Sequence, residues 1–147
     1  MARPGSAGDP LVPKHESSSA LLSGAATAQR LAVGPPVEYG NGLWIFLDIT
    51  ATPNNAETLQ LWIEAQDPVS GKWAPVANFP TILASSLGAS PPFATFLYHL
   101  YPGAVETVTQ AQQEVQSLAV PPVWRARVAH SAGGSWTYTV SAIEKNI

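Results

Sequence analysis

The chain has 147 residues and no cysteine, so disulfide staples and thiolate metal sites are excluded. Only 12% of the residues are charged, about half the usual share, and the net charge is −3. With no basic stripe to neutralise phosphates, the composition excludes nucleic acid as a partner, and no apolar run approaches the roughly 18 residues of a membrane span. Pro4, Gly5, Gly8, Asp9 and Pro10 break the apolar region that a signal peptide needs.

Composition divides the chain in two. Residues 1–42 are rich in Pro, Ala, Ser and Gly, and their cations Arg3, Lys14 and Arg30 balance Asp9, Glu16 and Glu38. Such a segment buries too little surface on itself to offset the entropy of ordering. It is expected to be an extended N-terminal arm whose apolar residues Leu11, Val12, Leu21, Leu22, Leu31 and Val33 act as anchors on a partner. On this reading, removal of residues 1–36 leaves a folded domain that binds poorly. Residues 43–147 carry the net charge and are expected to form one β-domain.

Residues 43–51 (LWIFLDITA) alternate strictly, with Leu43, Ile45, Leu47 and Ile49 on one face and Trp44, Phe46 and Asp48 on the other. Residues 58–66 repeat the pattern with Leu59, Leu61, Ile63 and Ala65. Joined as a hairpin through Thr52 to Ala56, the two strands would set Leu47 opposite Leu61 and Phe46 opposite Trp62. Asp67 to Gly71 reads as a turn, and Pro75 confines the strand from Lys72 to Val76 to a sheet edge. Short strands are expected at 80–84 and at 93–100, the second ending in the turn Tyr101-Pro102-Gly103. Residues 104–120 fit either a helical face or a loop followed by a strand near 114–119, and the period of the neighbouring segments favours the strand.

Toward the C-terminus, residues 122–130 place Trp124, Ala126 and Val128 on one face and Arg125 and Arg127 on the other. Residues 135–144 do the same with Trp136, Tyr138, Val140 and Ala142 against Thr137, Thr139 and Ser141. A three-residue turn with a left-handed Gly134 would pair Val128 with Tyr138 and set the two arginines against Thr139 and Ser141. Six or seven such strands with Pro/Gly turns predict an all-β antiparallel sandwich or jelly-roll-like barrel.

No constellation carries chemistry. His15, His99 and His130 lie at no metal-ligand spacing, and His130 opposite Trp136 reads as a packing pair. Asp48 and Glu64 flanked by aromatics resemble a carbohydrate or glycosidase site, but charges that keep an outer face soluble are the simpler reading. No catalytic, cofactor-binding or metal-ligating residue is expected. Trp44, Phe46 and Trp62 on the wet face of the first two strands predict an aromatic contact surface instead.

The succession LWIFLDITA, LQLWIEAQDPVSGKW, YPG and PPVWRARVAHSAGGSWTYTVSAI resembles the small virion proteins of tailed bacteriophages. The shared elements are a "LDVTA"-like strand at Leu47 to Ala51, a "DPxSGKW"-like turn at Asp67 to Trp73, the "YPG" at Tyr101 to Gly103, and a terminal "WRV…G…FTFSV"-like hairpin at Trp124 to Val140. The likeness is greatest to the capsid decoration (auxiliary or cement) proteins of long-tailed Thermus phages, and it excludes the arm. It implies a non-enzymatic structural protein, without cofactor, bound to the capsid exterior as a trimer against the major capsid protein. Alternatives are a carbohydrate-binding β-sandwich using Trp62 and Trp44, or a tail or neck component of the virion.

Overall fold

A computed structural model describes residues 18–38, 40–91, 93–102 and 112–145. The chain is an all-β sandwich. The first sheet holds, in order, β1 (Ser18–Leu22), β11 (Trp136–Lys145), β4 (Gly42–Ala51), β8 (Ala94–Tyr101) and β9 (Gln113–Ser117), with β2 (Ala25–Ala26) also on β11. The second holds β3 (Arg30–Val33), β10 (Trp124–His130), β5 (Thr58–Gln66) and β6 (Trp73–Asn78), with β7 (Ile82–Leu83) also on β5. Pairing is antiparallel except between β8 and β9.

Side-chain alternation builds the core as expected. Leu43, Ile45, Leu47 and Ile49 of β4 lie inside with Tyr138, Val140 and Ala142 of β11. Leu59, Leu61 and Ile63 of β5 and Trp124, Ala126 and Val128 of β10 meet them from the other sheet. Phe79 stacks on Tyr98 at 4.1 Å between ring centroids, one of the contacts that close the space between the layers. Pro75 lies in the edge strand β6, where its missing N–H costs no ladder bond. The strand expected near 114–119 is β9, whereas residues 103–111, including Gly103 of the expected turn, lie outside the described residues.

Both expected hairpins are corrected. β4 pairs with β11 and β8, while β5 pairs with β10 and β6 in the opposite sheet, so Leu47 and Leu61 do not pair within one sheet. Likewise β10 and β11 belong to different sheets: Val128 pairs with Leu61, and Tyr138 with Ile49. Strands with one continuous apolar face satisfy that face equally by lying side by side or by facing each other across a core. The observed pairing of β10 with β5 gives Glu64, whose side chain is 7% exposed, two guanidinium partners.

Gly134 is not left-handed. Its N–H donates to the Glu57 carboxylate at 2.8 Å, and an added Cβ would stand 2.5 Å from that group, the far end of a flexible side chain that would then have to shift. His130 pairs with Leu59 rather than Trp136, with its Nε2 3.0 Å from the Tyr138 hydroxyl.

The arm is also corrected over its described part. Residues 18–33 form β1, β2 and β3, which extend both sheets, so the sheets are not confined to the chain from residue 43 onward. The segment lacks a core of its own but needs none. β11 and β10 offer open edges whose N–H and C=O groups it satisfies, and Leu22 adds to the common core.

Candidate interaction face

The outer face of the second sheet is built by register. One row runs Val33, Arg125, Glu64 and Pro75, and the next runs Leu31, Arg127, Trp62 and Asn78. The turn between β5 and β6 supplies a further ring. Asp67 accepts from Ser70 Oγ at 2.6 Å and from the Val69 N–H at 2.9 Å, and Gly71 takes a φ of +74° that a side chain would resist. Those same contacts, the Ser70 hydroxyl first, hold the Asp67 carboxyl below its usual range. The chain thereby reverses at Lys72 and delivers Trp73 to the face beside Arg125.

At the centre, Arg125 Nε donates to Glu64 Oε1 at 2.7 Å and Arg127 Nε to Oε2 at 2.9 Å. Arg125 Cζ stands 4.5 Å from the centroid of Trp73, and Arg127 Cζ stands 4.7 Å from that of Trp62. The result is a chain of contacts: Trp73, Arg125, Glu64, Arg127, Trp62. Burial pushes the Glu64 carboxyl upward, but the hydrogen bonds and charges of the two guanidiniums outweigh it and hold the group below its ordinary range. The carboxylate is thus ionised although nearly covered. Arg127 Nη1 also reaches Gln29 Oε1 at 3.4 Å, while the terminal nitrogens of Arg125 have no partner among the described residues.

Apolar side chains flank this centre. Leu31 and Val33 are 45% and 62% exposed on the edge strand β3, and Val76 is exposed on β6. The face therefore combines half-buried indoles, oriented guanidiniums and an apolar margin, the residue types that dominate protein contacts.

The expected site residues are distributed unevenly. Leu31 and Val33 belong to this face, Leu22 is buried in the core, and Leu21 packs half-buried against it. Leu11 and Val12 lie outside the described residues. Trp44 and Phe46 do not join Trp62, because they occupy the outer face of the first sheet. There Trp44 meets His99 edge-on at 4.7 Å, and Lys145 Nζ lies 4.9 Å from its ring centroid. Asp48 and Glu64 are separated by the sandwich in the same way, so they form no carboxylate pair.

Trp73, Glu64, Arg125 and Arg127 were not singled out as one site from the sequence. The signal was the Arg-x-Arg spacing on the wet face of one strand and a glutamate beside Trp62 on another, but only the true strand neighbours join them. Among the described residues no three His, Asp or Glu side chains converge as metal ligands. Compared with protein-family models, curated proteins and solved structures, the chain matches none.

Proposed function

We propose that the chain is a non-enzymatic structural virion protein that binds the outside of a phage capsid as a trimer and bridges neighbouring capsomers. The observation that carries this reading is the outer face of the second sheet, where Glu64 fixes Arg125 and Arg127 between Trp62 and Trp73 beside exposed Leu31 and Val33. Side chains already held in place lose little entropy on docking, which favours binding without chemistry. Several weak contacts then sum through multivalency, and binding stabilises the occupied shell by mass action. The resemblance of the strand and turn motifs to phage decoration proteins supplies the partner. Carbohydrate stacking on Trp44 and Trp62 together is not favoured, since the two rings lie on opposite sheets and each has a cation over it.

Gel analysis of purified full particles and tail-less heads tests the proposal. The expected result is a copy number near that of the major capsid protein, retained on tail-less heads. Absence from those heads overturns it. Within the same assay, the double substitution Leu31→Asp and Val33→Asp should leave a folded protein that no longer binds heads lacking the chain.

A further inference from the structure

The first sheet carries a second surface feature, unrelated to the ladder of rings and guanidiniums. A pocket of about 410 Å³ opens on its outer face, where β4 and β8 run side by side, and Gln112 just before β9 closes one wall. That volume lies within the range of small-molecule sites. We propose that this pocket binds a sugar ring through its hydroxyls.

The pocket leaves a mixed set of donors and acceptors open. Thr95 Oγ1 donates to Asp48 Oδ1 at 2.9 Å, which fixes the carboxylate while leaving Oδ2 without a partner among the described residues. The side-chain amide of Gln112 likewise has none. Thr50 Oγ1 donates to the Thr137 carbonyl at 3.3 Å, and its lone pairs stay available as acceptors. Pro91 and Phe93 form an apolar wall.

The set therefore offers a carboxyl acceptor, an amide that both donates and accepts, hydroxyl acceptors and a nonpolar side. A sugar matches all of these. Its hydroxyls donate to the carboxylate in charge-assisted bonds, accept from the amide, and its C–H face covers the wall. An alkylammonium would use the carboxylate but make no use of the Gln112 amide. An anion is opposed, since no Lys or Arg lines the pocket.

The test titrates the full chain with glucose, galactose, mannose and N-acetylglucosamine, each as free sugar and methyl glycoside, while backbone and side-chain amide NMR signals are followed. One of them should shift the Thr95 backbone and Gln112 side-chain signals with a Kd of about 1–10 mM. Retention by the glycoside assigns the ligand to a glycan chain, and loss assigns it to a free sugar; either supports the site. Asp48→Asn keeps the acceptor for Thr95 and should weaken binding by about tenfold or more. Gln112→Ala, at an exposed position, should weaken it without altering the fold. The proposal is overturned if no sugar shifts these signals at about 50 mM, if Asp48→Asn binds like the parent, or if butylammonium binds there more tightly than every sugar.

Discussion

Replacing Glu64 by glutamine is the sharpest probe of the ladder. The amide keeps the shape of the carboxylate, but only its oxygen can accept, so its NH2 must face one of two guanidiniums whose Nε atoms now lie 2.7 and 2.9 Å from the carboxylate oxygens. Breaking a buried ion pair by removing one partner costs about 3–5 kcal/mol, and the arginine side chains, 19% and 20% exposed, place this case at the lower end, about 3 kcal/mol. For a domain of this size each kcal/mol moves the melting temperature by about 3–4 °C, so a fall of about 10 °C is expected by calorimetry at neutral pH.

Acid adds an independent signature. The folded-state pKa of Glu64 is depressed below its ordinary 4.5, so its stabilisation is complete above the carboxylate range and is lost as the pH falls through the folded value. Urea midpoints of the Glu64→Gln protein should therefore decline less steeply on acidification than those of the parent. Converting all three residues to leucine should restore most of the loss, because no buried charge is then left unpaired. A Glu64→Gln protein melting within about 3 °C of the parent would show that solvent screens the pair as on an open surface, and would refute the reasoning.

Three further outcomes are expected. Gly34 packs against the Trp124 indole, whose Nε1–H donates to the Pro35 carbonyl at 2.8 Å; Gly34→Ala forces the ring aside and should cost about 1–3 kcal/mol, read by urea unfolding. Burial first, then Arg30, holds the His130 pKa below its ordinary 6.5 against the opposing charge of Glu57, and its Nδ1 is buried without a hydrogen-bond partner among the described residues. That histidine favours folding above its ordinary pKa and disfavours it increasingly as pH falls below, so His130→Asn should flatten the stability profile between about pH 7.5 and 5.5. Deleting residues 1–36 now carries a different expectation from the one composition supports: it removes Leu22 from the core, uncovers Trp124 and strips the edges of β10 and β11, so the truncated chain should show a clear loss of urea midpoint. An unchanged midpoint would mean that β1–β3 contribute only surface.

The sequence by itself determined which way each long strand faces. Alternation along β4, β5, β10 and β11 is a local property, and the residues it assigned to the interior, from Leu43 to Ala142, are buried apart from half-buried Ala65. The chemistry of the Asp67–Lys72 turn and the edge position of Pro75 were legible for the same reason, since each follows from its own few residues. Which strands pair was decided only by the tertiary structure. An apolar face fits a neighbour in its own sheet and a neighbour across the core alike, so periodicity could not tell a hairpin from a crossing between layers. The observed pairing brings Glu64 to Arg125 and Arg127 over a long sequence separation, and with them assembles the candidate face. The N-terminal segment shows the same limit: composition correctly denies residues 18–33 a core of their own, but only the open edges of β11 and β10 supply the hydrogen bonds that order them as strands.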